Sequence, residues 1–337
     1  MHRFALLIAG GRGERFWPVS RYNFPKQFLP LIEKKPLVRL TYERIERFVD
    51  PKNIWIIVPK DLRRPLKKII PRCNVLDEPV GKNTGPAIGY ALLKLKKYKE
   101  AVMFVLPADH WIDNQNRFHQ TLSIGYQHAL GGSLVTIGIK PSRPDTGFGY
   151  IQVNGRIGQR SYRVLKFKEK PDLETAKRYL EIGSFFWNSG IFIWRTDRIL
   201  EEFERHMAGT LRRLREYIQE KDRKIYEKIP PISIDYGIME KASDVVMIEA
   251  NFGWDDLGTW NALARHKKLD ESGNVQIGRI CASESKNSIL YADHGLIATL
   301  GVDNLIVVRT KDVVLVCPRS KANEVKTLMK KLKKEEL

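Results

Sequence analysis

Three features of the sequence predict an α/β fold, a mostly parallel sheet flanked by helices, with a smaller β-rich unit behind it. Apolar strand-like runs alternate with segments of helical apolar spacing through the first half. The first of these runs passes straight into a glycine-rich turn. Beyond residue 262 the rhythm changes to short strands separated by Asp, Gly and Asn turns. Alternation of the first kind implies parallel strands joined by crossover helices, and in such sheets ligands sit beyond the carboxyl ends of the strands.

The first strand is predicted at 4–8 and runs into Gly10, Gly11 and Gly13. A turn of this composition leaves backbone amides uncovered, so that they can converge on phosphate oxygens. Glycine-rich strand exits also occur where only the backbone conformation matters, and the glycines alone leave both readings open. Arg15 and Lys26 bring fixed positive charge to the same mouth and point to nucleotide chemistry. A Walker A loop is excluded, because no Gly-Lys-Ser/Thr follows Gly13. The dinucleotide fingerprint is excluded as well, since bulky Phe16 stands where it needs Gly or Ala. What remains is a Gly-Gly-x-Gly-x-Arg turn followed by Pro25-Lys26.

Further strands are expected at 54–58, 102–106 and 134–139. Between them Leu37, Leu40, Thr41, Arg44, Ile45 and Phe48 fall at helical spacing, as do Ile88, Ala91, Leu92 and Leu95. Residues 78–87 lead into the second of these helices, with Asn83 or Thr84 as N-cap and Pro86 near the first turn. This is a capped helix start whether or not it also meets a ligand. Asp109 directly follows the 102–106 strand, at the carboxyl end of the sheet. It reads either as a cap for the following turn or as a hard oxygen ligand for Mg²⁺, which takes one or two carboxylates and fills its shell with phosphate and water.

From residue 150 a β-hairpin is expected, with 150–153 outgoing, Asn154-Gly155 as the turn and Arg156-Ile157 returning. A strand at 164–167 enters Glu169-Lys170-Pro171, and Asp172 can cap a helix. The tail carries predicted strands at 288–291, 296–300, 305–308 and 313–316, closed by a basic helix. The expected division is therefore 1–262 and 263–337.

A chain of 337 residues, 43% hydrophobic, has room for one large and one small core and is neither disordered nor fibrous. It lacks any run approaching the roughly 18 uninterrupted apolar residues that span a bilayer, and with a strand expected so near its N-terminus no secretory leader is expected. A cytoplasmic protein with no membrane partner is expected. Cys73, Cys281 and Cys317 are widely spaced and read as structural thiols, with no disulfide framework or zinc site. The net charge of +19, from 58 basic and 39 acidic residues, raises nucleic acid as a partner. The excess, however, lies in dispersed helical runs such as 94–99 and 330–334 with no reading motif. Solvated helix faces and attraction for anionic substrates explain it better, and no nucleic-acid partner is expected.

Residues 6–31 closely resemble the nucleotide-binding segment of the sugar-1-phosphate nucleotidyltransferases. Trp17-Pro18, Ser20-Arg21 and Pro25-Lys26-Gln27-Phe28 resemble their mannose-1-phosphate guanylyltransferase branch, with Phe16 where that branch usually has Leu. The resemblance runs in order to about residue 260 and more loosely through the tail. It implies a Rossmann-like, mixed and mostly parallel sheet of the glycosyltransferase-A kind, with a left-handed β-helix-like C-terminal domain.

The resemblance also implies a site. Arg15 and Lys26 would be catalytic cations. Leu7, Ala9, Gly10, Gly11, Gly13, Glu78, Asn83, Thr84, Pro86, Ala87 and Asp109 would hold the nucleotide, with Gly85 in place of the family's usual Ala. Gly149, Glu169, Lys170 and Asn188 would hold the sugar phosphate. Of Asp255 and Asp256, the one two residues before Gly258-Thr259 matches the family's metal ligand, giving Asp109 and Asp256 as the Mg²⁺ pair. Residues 234–240 are also family-like and read mostly as packing.

The implied reaction is transfer of GMP from GTP to α-D-mannose 1-phosphate, by Mg²⁺-assisted in-line attack, giving GDP-mannose and pyrophosphate in a homodimer. The same chemistry on another sugar or base is the alternative. A non-catalytic sugar-nucleotide-binding relative is disfavoured, because both cations and both carboxylates are present. No isomerase domain is expected, since the residues after 262 are few and show no His and Glu cluster.

Overall fold

A computed structural model describes residues 1–333. Its strands are β1 (His2–Ile8), β2 (Ile54–Pro59), β3 (Asn74–Glu78), β4 (Ala101–Pro107), β5 (Trp111–Ile112), β6 (Leu134–Ile139), β7 (Tyr150–Gly158) and β8 (Ser161–Lys168). They continue as β9 (Phe185–Arg195), β10 (Val245–Glu249), β11 (Trp254–Asp255), β12 (Val275–Ser283), β13 (Ile289–Leu300), β14 (Leu305–Arg309) and β15 (Val314–Pro318).

Nine strands form one mixed sheet in the order β3-β2-β1-β4-β9-β6-β10-β8-β7. Strands β1 to β4 pair in parallel, and β9 inserts antiparallel between β4 and β6. Burial on both faces explains the unbroken apolar runs of the central strands. Phe4 and Leu6 of β1 face one core, shared with Met103 and Trp194, while Ala5 and Leu7 face the other, shared with Phe104 and Ile193. Helices Thr84–Lys94, Thr196–His206 and Ala208–Glu220 cover the first face. Helices Leu37–Ile45, Arg63–Ile69 and Gln115–Leu130 cover the second.

Behind the sheet β12, β13 and β14 stack in parallel and β15 closes antiparallel. Their register aligns Val275, Ile289 and Ile306 in one buried column, the β-helix-like geometry. This column does not close on itself. It joins Phe16, Trp17 and Trp260 in one apolar core, so the glycine turn is packed directly on the tail.

Three expectations are corrected. Asn154-Gly155 is not a hairpin turn: it lies inside β7, where Gly155 takes φ +58° in an irregular stretch of the β7–β8 ladder, and the chain reverses at Gln159-Arg160. The runs at 288–291 and 296–300 belong to one strand, β13, which turns a corner at Gly295 (φ +68°) without leaving the ladder. Cys281 is exposed on β12 rather than structural, whereas Cys73 is buried and Cys317 partly so, all three being free thiols. The expected closing helix is present at Val325–Met329, and the end of the lysine run from Lys334 on lies outside the described residues. Among the described residues no helix is long and apolar enough to cross a membrane.

Candidate active site

Strand β1 delivers the glycine turn to the carboxyl edge of the sheet. The Gln27 amide holds the turn's shape by donating to the carbonyls of Ala9 (2.8 Å) and Gly11 (2.9 Å), and Ser20 Oγ donates to that of Gly13 (2.7 Å). Gly13 sits at φ +64° against the backbone and Cβ of Lys26, where any side chain would collide. The turn thus brings Arg15 and Lys26 to one cleft of about 490 Å³, which Asp109, His110, Asp256 and Gly258 also line.

Lys26, only 7% exposed, is the hub of this cleft. Its Nζ lies 2.6 Å from Asp109 Oδ2 and donates to the carbonyls of Asp256 (2.8 Å) and Leu257 (3.3 Å). Burial opposes ionisation of Asp109, but Lys26, with His110, more than offsets it and holds the carboxyl below its usual range. Burial pushes Asp256 up to about 6; Lys26 opposes the rise while Asp255 and Asp109 add to it. His110 is pushed down to about 4 by burial, and its Nδ1 accepts from Trp254 Nε1 at 3.1 Å, so it is neutral near pH 7. Arg15 reaches the same cleft with its Nε buried and lacking any hydrogen-bond partner among the described residues.

Asp255 and Asp256 are adjacent but serve different structures. Asp255 accepts from Arg265 at 2.5 and 2.8 Å, from the Leu257 amide at 2.8 Å, and pairs with His266 at 2.9 Å. Burial opposes this ionisation, but His266 and Arg265 hold the carboxyl far below its usual range. Asp256 makes no such pair; its Oδ1 takes the Gly258 amide at 3.1 Å and it faces the cleft. No group of three or more His, Cys, Asp or Glu is gathered as a metal cage among the described residues. Two carboxylates lining one cleft, Asp109 and Asp256, nevertheless suit a hard divalent ion that completes its shell with phosphate and water.

The segment after β3 forms a second wall. Glu78 is 4% exposed and accepts from Tyr226 Oη (3.0 Å) and the Lys82 amide (3.3 Å); burial pushes it up to about 7. Asn83 caps the next helix as expected, at φ +72°, by accepting from the Thr84 amide (2.8 Å). Thr84 Oγ1 accepts from the Ile234 amide (2.8 Å), and Gly85 N donates to the Ile232 carbonyl (3.0 Å). Leu7, Ala9, Pro86 and Ala87 are buried and line none of the 490 Å³ cleft.

The remaining candidates gather at the start of β9. Antiparallel pairing with β4 brings Gly190 beside Pro107, so Asn188 falls next to Asp109's end of the sheet. Asn188 N donates to the Gly149 carbonyl (2.8 Å), and a side chain at Gly149 would collide with Glu169. Lys170, held at φ +44°, pairs with Glu169 at 2.7 Å. Asn188 Nδ2 donates to Asp235 Oδ1 at 2.6 Å while its Oδ1 accepts from Thr136 Oγ1 (3.2 Å), which fixes the amide's orientation. Asp235, expected among packing residues, is instead part of this polar cluster; burial, and then Glu169, push it up to about 6. A lone acid inside the apolar run 234–239 is the signal in the sequence that marks it.

Residues 4–273 match the nucleotidyl transferase family, and the chain belongs to it. Residues 278–332 match the mannose-phosphate isomerase/GMP-like β-helix domain. Several relatives within the family are named mannose-1-phosphate guanylyltransferase. One from Salmonella montevideo is 37% identical across 98% of this chain and 74% of that one, and one from Klebsiella pneumoniae 36% identical over the same shares. The crystal structure of a Thermus thermophilus protein, described as a mannose-1-phosphate geranyltransferase, superposes with a TM-score of 0.92 at 36% identity, over 98% of this chain and 99% of that one.

Proposed function

We propose that this chain transfers GMP from GTP to α-D-mannose 1-phosphate, releasing GDP-mannose and pyrophosphate. The observation that carries the reading is the cleft itself, where Lys26, Arg15, Asp109 and Asp256 converge beyond the carboxyl ends of β1 and β4. The relatives' names supply the choice of sugar and base.

A phosphate oxygen of the sugar phosphate is already anionic and needs no general base. It attacks the α-phosphorus in line, and the bond to the β-phosphate oxygen breaks as pyrophosphate leaves. Joining two anions is the electrostatic obstacle. The glycine-turn amides and Arg15 hold the triphosphate, and Lys26 neutralises charge that develops on the leaving group. Asp109 and Asp256 would hold Mg²⁺, which supplies further neutralisation of the phosphates when bound. Glu78 and the 83–87 segment would border the base and ribose. Glu169, Lys170 and Asn188, seated around Gly149, would orient the sugar phosphate. Pairing of two copies through the tail rests on exposed Leu296, Leu300, Val314 and Val316, and sedimentation of a monomer alone would rule it out.

Pyrophosphate release over a matrix of nucleoside triphosphates and sugar 1-phosphates tests the assignment. GTP with mannose 1-phosphate should give the highest kcat/KM, and a higher value for any other pair would replace it.

A further inference from the structure

One wall of the cleft comes from outside the catalytic sheet. Lys326, on the helix Val325–Met329 near the end of the tail, lines it together with Glu14, Arg15 and Lys26. Packing fixes the helix there. Val325 is 3% exposed in the core that holds Phe16 and Trp17, Met329 packs against that core, and the helix rests on the Glu14–Phe16 turn. Trp260 Nε1 donates to the Trp17 carbonyl at 3.2 Å, and Trp260 meets the Tyr291 ring of β13 at 5.3 Å. The tail, the signature turn and the chain just beyond Asp256 are thus packed into one cluster.

The charges in the cleft are unequally committed. Arg12 pairs with Asp61 at 2.9 Å and donates to the Tyr22 carbonyl, and Lys26 pairs with Asp109. The ammonium of Lys326 has no ion pair or hydrogen bond among the described residues. Neighbouring Lys321, by contrast, pairs with Glu324 at 2.9 Å and lies outside the cleft. Lys326 and Arg15 are therefore the cleft cations that no acidic side chain pairs with among the described residues.

We propose that Lys326 is a phosphate-binding residue of the active site, supplied by the β-rich tail, which contacts the β- and γ-phosphates of the nucleoside triphosphate and the departing pyrophosphate. This rests on the nucleotidyl-transfer reading above. Gly149, Glu169 and Asn188 line none of this cleft, so the α-phosphorus belongs near the carboxylates, between the two poles. The side formed by Glu14, Arg15 and Lys326 then receives the leaving end of the triphosphate. The tail accordingly contributes to chemistry as well as to bracing.

The test uses full-length Lys326→Met, Lys326→Arg, Lys330→Met and Arg15→Ala proteins, assayed forward and in reverse with pyrophosphate and GDP-mannose. Lys326→Met should raise KM for GTP and for pyrophosphate roughly tenfold, the scale of one charge-assisted hydrogen bond. KM for mannose 1-phosphate should stay within about twofold. Lys326→Arg should restore most of the loss, and Lys330→Met, an exposed lysine of the same segment outside the cleft, should match wild type. Unchanged pyrophosphate KM in Lys326→Met overturns the proposal, and so does a loss accompanied by a lowered Tm that Lys326→Arg does not rescue. Arg15→Ala separates the two levels. If it loses pyrophosphate affinity while Lys326→Met does not, only the Lys326 assignment falls; if it too is unchanged, the reading of the cleft falls with it.

Discussion

Lys26 Nζ lies 2.6 Å from Asp109 Oδ2 at the centre of the cleft, so the same ammonium serves a carboxylate on β4's exit and the backbone beside Asp256. Gly13 makes this possible, since only a residue without a side chain fits against Lys26 there. Lys26→Ala removes the cation and leaves the Asp109 carboxylate without its ion pair. Turnover should fall on the order of a thousandfold, as for other cations at phosphoryl-transfer centres. Thermal unfolding should show the protein still folded. A folded variant with near wild-type kcat would remove Lys26 from the chemistry.

Asp255 and Asp256 should respond oppositely to the same change. Asp255→Asn breaks a pair that is 7% exposed on the carboxylate side but 36% exposed at Arg265. The cost to folding should be about 2 kcal/mol, below the range for fully buried pairs because solvent screens the arginine. Asp256→Asn should instead cost little stability and raise the Mg²⁺ concentration needed for half-maximal rate. Urea unfolding and a Mg²⁺ titration on both variants check this, and the reverse pattern would show that the wrong carboxylate was assigned to the cleft.

Much of the cleft was legible because its pieces are local. A glycine turn after an apolar run, or an aspartate after another, keeps its meaning whatever the rest of the chain does. The missed features depend on contacts made far along the chain. Asp235 becomes polar-site chemistry only because β9 brings Asn188 within 2.6 Å of it. Asn154-Gly155 carries the commonest hairpin signal, yet continued pairing of β7 with β8 converts it into a bulge. Lys326 lies just before the lysine run 330–334, which reads as a solvated face, and only the core shared by Val325 and Phe16 turns it toward the phosphate turn.

Asp235 should act through Asn188. Asp235→Ala frees the Asn188 amide on one side, so KM for the sugar phosphate should rise roughly tenfold while KM for GTP stays near wild type. Asp235→Asn keeps an oxygen able to accept from Asn188 Nδ2 and should recover most of that loss. Equal increases for both substrates would point to general loosening of the 232–235 segment instead.

Glu78 should leave its mark on the pH dependence of stability. Its carboxyl is raised from 4.5 to about 7 by burial, against the hydrogen bonds from Tyr226 and Lys82. The folded state therefore holds the proton more tightly than the unfolded chain does. Between pH 4.5 and 7 the folded protein binds more protons, so stability falls as pH rises and levels off above 7. The full loss from this group is about 3 kcal/mol, at roughly 1.4 kcal/mol per pH unit. Glu78→Gln keeps an oxygen for Tyr226 Oη and the Lys82 amide but cannot ionise. The stability of Glu78→Gln relative to wild type should therefore climb by that amount between about pH 4.5 and 7.5, measured as the difference in urea unfolding free energy. A difference that stays flat across this window would mean that Glu78 ionises at its ordinary pH and that burial does not raise it.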